Sequence, residues 1–210
     1  MHYTAAMPFD PDFSLWSYLS SVGDAALTLP IAAACAIWLW FSARHMAARW
    51  VLLLAAGMAL VGATKILYAG CGVEISSIGF RMISGHTTLS TAVWTVAIAL
   101  LFRCMGGKPR VGVIVGLLVG AVTAVARVFD DAHTVAEVMA GWVLGATVAV
   151  LFIRTFVRAQ VPLIKPRIAA FGLLLIATLA YGHHAPIQDM IEAYSPGVCA
   201  RLLPGVGPGR

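Results

Sequence analysis

Charge is what this sequence has least of. Only 11% of its 210 residues are Asp, Glu, Lys or Arg, against 60% that are hydrophobic. With a mean hydropathy of +0.90, that scarcity excludes an ordinary soluble domain, in which about a quarter of the residues are charged. Basic residues are missing altogether ahead of Arg44. No positive stretch therefore precedes the first apolar run, no secretory signal is visible, and the N-terminus is expected to be that of the mature chain. The apolar runs lack period-2 alternation, which argues against a membrane barrel of lipid-facing strands. The four cysteines stand in no metal-binding spacing, and no internal repeat is visible.

What is present is a series of apolar runs approaching the ~20 residues that cross a bilayer, at 25–42, 50–68, 86–103, 111–128, 135–153 and 168–182. The expected fold is all-α: a polytopic membrane protein with a six-transmembrane-helix bundle. It divides into an interfacial N-terminal segment over 1–24, a six-helix membrane domain over 25–182 and a Pro/Gly-rich tail over 183–210. Phe13–Leu19 reads as a short amphipathic turn or two lying on the membrane. The net charge of +5 would fit a nucleic-acid binder, but the charges sort by membrane side instead, so no nucleic-acid partner is expected. Arg44 and Arg49, then Arg103, Lys108 and Arg110, then Arg154, Arg158, Lys165 and Arg167 fill the connections after the first, third and fifth spans. The positive-inside rule makes those connections cytoplasmic. Six spans then put both termini, and the connections holding Lys65 to His86 and Arg127 to Glu137, on the extracytoplasmic side of an inner or plasma membrane. Every acidic residue falls on that side.

Two polar stretches interrupt the apolar sequence. Arg127-Val-Phe-Asp-Asp-Ala-His133-Thr-Val-Ala-Glu137 sets His133 and Glu137 four residues apart. In a helix running from about Asp131, that spacing stacks imidazole and carboxylate on one face. The carboxylate would accept one ring N–H and leave the other nitrogen free to react, while Arg127 would add a cation suited to clamping an oxyanion. In Arg81-Met-Ile-Ser84-Gly85-His86-Thr-Thr, Ser84 reads as an N-cap and Gly85 permits a tight turn, aiming free N–H groups at an anion; His86 could protonate a leaving oxygen. Each feature has a plainer reading, a helix cap for Ser84 to Thr88 and a lysine snorkelling to the headgroups for Lys65. Their joint arrival on the side where basic residues should be depleted favours a site. Zinc bound by His86, His133 and Glu137 is the metal alternative, disfavoured by the cations crowding the same patch. Cys71 and Cys199 would share the oxidising side, and a disulfide between them is a further expectation.

These motifs resemble the type 2 phosphatidic acid phosphatases, whose site is shared with vanadium haloperoxidases. That family reads Lys-x6-Arg-Pro, then Pro-Ser-Gly-His, then Ser-Arg-x5-His-x3-Asp. Here the second motif stands as Ile83-Ser84-Gly85-His86 and the third as Ala126-Arg127-x5-His133-x3-Glu137, at the ends of the third, fourth and fifth spans. The chain departs from the pattern at Gly72, where the first motif has its arginine after Lys65, at Ala126 for Ser and at Glu137 for Asp.

The resemblance implies a lipid phosphatase that needs no metal or cofactor. His133 would be the nucleophile that forms a phosphohistidine, Glu137 its orienting carboxylate and His86 the acid and then the base. Lys65, Arg127, Arg81, Ser84 and Gly85 would hold the phosphate oxygens. The implied partners are a lipid phosphate substrate, such as a polyprenyl diphosphate or phosphatidic acid, and the bilayer itself. A lipid phosphotransferase, a transporter and a catalytically silent anionic-lipid binder are the alternatives.

Overall fold

The computed structural model describes residues 15–159 and positions 171, 172, 174, 175 and 178. A short helix α1 (Leu15–Ser21) leads into α2 (Ala25–Ser42), followed by α3 (Arg44–Cys71), α4 (Gly85–Cys104), α5 (Pro109–Phe129) and α6 (Val135–Arg158). Taking α1 and α2 as one stretch, five of these segments are long and apolar enough to cross a membrane. Among the described residues the regular structure is helical, apart from one isolated bridge between Ile75 and Phe80. The sixth expected span, 168–182, lies outside the described residues except for five helical positions. The tail 183–210 and residues 1–14 lie wholly outside them.

Local chemistry sets the helix ends. Asp24, Ser84 and Thr134 are N-caps whose side chains accept from the first turns of α2, α4 and α6. Such caps satisfy backbone donors that the helix itself leaves unpaired. Pro109 stands in the first turn of α5, where its missing N–H is no loss. Gly72 closes α3 in the left-handed region at φ 67°, with Gly72 N–H donating to the Tyr68 carbonyl and Val73 N–H to that of Leu67. Only glycine adopts that conformation freely. The departure from the family pattern at Gly72 therefore ends a helix.

One boundary differs from the sequence expectation. Ala43 alone separates α2 from α3, and Arg44 and Arg49 lie in the opening turns of α3 rather than in a connection. A 28-residue helix rises about 42 Å, close to the full ~40–45 Å of a bilayer with its headgroup layers. The arginines can thus remain helical while their charged ends reach the interface.

Helix α4 runs through the middle and packs against both α5 and α6, which also touch each other through Trp142 Nε1 donating to the Leu117 carbonyl at 3.1 Å. A Cβ placed on Gly112 would come 2.6 Å from Ala99 Cα, and one on Gly120 2.8 Å from Thr91 Cα. At Gly116 it would run into Thr95 Cα. On α6, Gly141 and Gly145 make equally close approaches to the carbonyls of Ser84 and Thr88, at 2.7 and 2.6 Å. Small residues four apart let membrane helices touch backbone to backbone, where dispersion and hydrogen bonds replace the hydrophobic drive available in water. Further from the caps, Ile31, Cys35 and Leu39 of α2, Trp50 of α3, Val96 and Leu100 of α4 and Phe152 of α6 form a buried core. Trp50 Nε1 donates to the Ala32 carbonyl at 3.0 Å, so its one polar atom is satisfied. Because the chain alternates direction, the starts of α2, α4 and α6 meet the ends of α3 and α5 at one end of the bundle.

Candidate functional site

At that end His133 and Glu137 form the closest imidazole–carboxylate pair, with Nδ1 2.8 Å from Oε2. They do so by another route than stacking in one helix. α6 begins only at Val135; Thr134 is its N-cap, and Glu137 is the third helical residue of a reciprocal capping box. Asp131, at φ 51°, turns the chain sharply, and the N–H groups of Ala132 and His133 both donate to the Arg127 carbonyl at 3.2 Å. A local αL turn and a cap thus override the helical continuation that spacing alone predicts. Glu137 reaches back across the helix start to His133, and the turn fixes His133 beside Arg127.

Glu137 is fully buried, at 0% exposure. Its Oε1 accepts from Arg81 N at 3.0 Å and Arg81 Nε at 3.1 Å; its Oε2 accepts from His133 and from Thr134 N at 3.1 Å. With three N–H donors fixed on its oxygens and the Arg81 cation against it, Glu137 is a carboxylate, so its contact with His133 is a donation from Nδ1–H that leaves the Nε2 lone pair presented. Burial pushes the His133 imidazole down to about 4; the Glu137 hydrogen bond opposes that shift, and the charges of Arg127 and Lys65 add to it. His133 is therefore neutral near pH 7, the state a nucleophilic nitrogen requires.

The cations divide into two kinds. The Arg81 side chain, 38% exposed, is tied to Glu137 and lies over the Tyr68 ring at 5.8 Å. The Glu137 hydrogen bond holds its guanidinium above its usual range. Arg127 is more enclosed, at 17%. Its Nη1 donates to Ser20 Oγ at 3.0 Å and stands 3.7 Å from Asp130 Oδ2, while its buried Nε has no hydrogen-bond partner among the described residues. Lys65 Nζ lies 3.9 Å from where a Cβ on Gly85 would stand, beside the first turn of α4.

Ser84 caps α4 as its position in the sequence predicts. Its Oγ lies 3.0 Å from Thr87 Oγ1 and accepts weakly from Thr87 N at 3.5 Å, and its N–H donates to the Glu137 carbonyl at 3.2 Å. The fully buried Ser84 thus joins α4 to α6. Gly85 and His86 carry the next two N–H groups of that first turn, and neither has a hydrogen-bond partner among the described residues. Ala126, fully buried, leaves no hydroxyl where the family pattern has serine.

Two residues of this end were not singled out by sequence reasoning. Asp24, 6% exposed, points Oδ2 at His86 Nε2, 3.5 Å away, and Ser20 holds Arg127. Both come from the segment expected to lie on the membrane surface. Its helix α1 packs on the end of α5, with Trp16 stacked on Phe129 at 4.6 Å between centroids and Ser17 Oγ donating to Asp130 at 3.2 Å. Asp24 is the first acidic residue directly preceding a spanning run, which was the one signal available. Among the described residues no three His, Cys, Asp or Glu side chains converge as metal ligands. Cys71 is disulfide-bonded and Cys35 and Cys104 are free; Cys199 lies outside the described residues. Beside the His133 turn, an apolar groove of ≈ 420 Å³ runs between α5 and α6, bordered by Val125, Phe129, Val135 and Met139.

The fold and this end of it define a class: an all-helical protein with membrane-length spans, whose chemistry gathers at helix ends on one face. The sequence pattern of the PAP2 superfamily matches residues 71–160. A protein of Klebsiella pneumoniae described as an uncharacterized 22.5 kDa protein in cps region is 33% identical over 190 residues, covering 87% of this chain and 91% of its own length. No solved structure matches the chain. The chain belongs to the PAP2 superfamily, a membership that supports a phosphatase-type function.

Proposed function

We propose that the protein is a membrane phosphatase that hydrolyses the phosphomonoester or diphosphate of a lipid through a phosphohistidine. The observation that carries this reading is the neutral, Glu137-held His133 next to a buried Arg127 Nε that lacks a partner among the described residues. A nucleophile and an unsatisfied cationic donor side by side suit a phosphoryl group. His133 Nε2 attacks phosphorus; the bond to the lipid oxygen breaks, and that oxygen takes a proton from His86. His86 then draws a proton from water, whose oxygen bonds to phosphorus as the P–N bond opens and its electron pair returns to His133. Arg127, Lys65 and the unpaired N–H groups of Gly85 and His86 hold the equatorial oxygens. Arg81 acts mainly through Glu137, and Ser84 by fixing the first turn of α4.

A site at helix ends suits a substrate whose phosphate rests at headgroup depth, and the apolar groove beside the His133 turn suits its hydrocarbon. The basic residues cluster at the other end of the bundle, which supports an inner- or plasma-membrane orientation with the site extracytoplasmic. The test is phosphate release by the detergent-purified protein, with EDTA present, from polyprenyl diphosphate, phosphatidic acid, phosphatidylglycerol phosphate and a lipid A phosphate. The expected result is release from at least one substrate, lost in His133→Ala. Intact lipid binding with no release from any would replace this reading with a silent binder. Transfer of phosphate to an added alcohol in preference to water would replace it with a phosphotransferase.

A further inference from the structure

Among the described residues only two charged side chains are buried, Asp24 and Glu137, and each carboxylate faces one of the two candidate imidazoles. Glu137 belongs to the site as the sequence frames it; Asp24 does not, and the plain account of it is as the N-cap of α2. That account uses one oxygen, since Oδ1 accepts from Ala26 N at 2.8 Å. An uncharged Asn or Ser would cap as well without burying a charge. The second oxygen, Oδ2, stands at His86 Nε2.

The surroundings hold it there. A Cβ on Gly23 would come 2.8 Å from the His86 carbonyl oxygen and 2.7 Å from Thr123 Cγ2, so the chain before Asp24 is pressed directly onto the first turn of α4. Trp94 Nε1 donates to the Val22 carbonyl at 3.0 Å and pins the corner from the α4 side. The charges give Asp24 work to do. A positive charge on His86 stands in the field of Lys65 and Arg127, and among the described residues acting on that imidazole Asp24 is the one that offsets them.

Resting on the phosphatase reading above, we infer that Asp24 is the positioning residue for His86, a second imidazole–carboxylate pair serving the leaving group as His133–Glu137 serves the nucleophile. Asp24 keeps the Nε2 proton, leaving Nδ1 to deliver its proton to the departing lipid oxygen as the P–O bond breaks. In the second step Nδ1 takes a proton from the attacking water, and Asp24 again balances the charge that forms.

The test separates leaving groups. The full-length protein in detergent is given phosphatidic acid, whose alkoxide must be protonated to leave, and p-nitrophenyl phosphate, whose phenolate leaves without a proton. The readout is kcat/KM, which reports the phosphoryl-transfer step apart from the later hydrolysis. Asp24→Asn preserves the cap. It is expected to lower kcat/KM for phosphatidic acid by ~10- to 100-fold, within the range that general-acid catalysis contributes, and for p-nitrophenyl phosphate by less than about threefold. In a His86→Ala background the same substitution should change neither value, since the two residues act as one unit. Equal losses on both substrates, or no loss on either, would overturn the inference while leaving the phosphatase reading standing. A parent protein that releases phosphate from neither of these substrates nor from the other three lipids of the first assay would overturn both.

Discussion

Glu137 shows how a single added methylene changes a site. Its two oxygens accept from Arg81 N, Arg81 Nε, His133 and Thr134 N at 2.8 to 3.1 Å, so one carboxylate spans the α3–α4 connection, the His133 turn and the α6 cap. An aspartate would draw the carboxylate about 1.5 Å toward the backbone, out of reach of at least one donor. Glu137→Asp is therefore expected to reduce kcat/KM by ~10- to 100-fold, the equivalent of one charge-assisted hydrogen bond of ~1.5–3 kcal/mol, and to lower the melting temperature in detergent. A faster Glu137→Asp variant would mean that the longer arm hinders the chemistry. The partnership of His133 with Glu137 and the capping role of Ser84 were legible in the sequence because they are local, carried by spacing and residue type. Asp24 was not, because its distance from His86 is bridged only by tertiary packing, and a cap already accounts for it. Nor was the hold of Glu137 on Arg81, which becomes visible only once the α3–α4 connection folds over α6.

At the scale of the helix, α5 owes its place to the face carrying Gly112, Gly116 and Gly120. Gly116→Ala puts a methyl group against the Thr95 backbone, where nothing flexible can yield, and overpacking of this kind costs ~1–3 kcal/mol. The expected result is a lower melting temperature and reduced activity, because displacing α5 moves Arg127 relative to His133. Gly62 on α3 has nothing among the described residues within 4 Å of an added Cβ. Gly62→Ala should leave stability unchanged or raise it slightly, alanine being the better helix former. Equal effects of the two substitutions would remove the packing account. Helix positions were readable from apolar runs, but their ends were less so. The opening turns of α3 carry Arg44, His45 and Arg49, and a hydropathy reading trims such turns although the helix continues through them.

For the whole molecule, the alternation of helix directions brings residues from five helices and their connections to one end, while Arg44, Arg103, Lys108, Arg110 and Arg158 lie toward the other. The orientation proposed from that asymmetry predicts the accessibility of single cysteines in a Cys104→Ser background. Ser76→Cys, in the exposed connection between α3 and α4, should react with a membrane-impermeant maleimide in intact cells. Met105→Cys, exposed between α4 and α5, should react only after lysis. The reverse pattern would place the site on the cytoplasmic side. The all-helical architecture and the gathering of Lys65, His86, Arg127, His133 and Glu137 at one end could be anticipated, since parity of spans and charge bias are properties of the whole chain. The docking of α1 onto α5 could not, because a short amphipathic stretch fits a lipid surface and a protein surface equally well.

The hydroxyl-rich face of α4 bears on how the protein is made. Ser84, Thr87, Thr88, Ser90, Thr91 and Thr95 are all buried, and α4 has the lowest mean hydropathy of the five spans, 1.4 against 1.8 to 2.2 for the others. As it emerges from the ribosome, this helix has the weakest claim of its own on the hydrocarbon, yet it carries Ser84 and His86. Its hydroxyl face is covered by the glycine faces of α5 and α6, both of which follow it in the chain. Packing therefore leaves the end that carries the candidate site unfinished until the last of these helices is in place, and a chain arrested before α6 is expected to present the membrane with a polar span still awaiting its shelter.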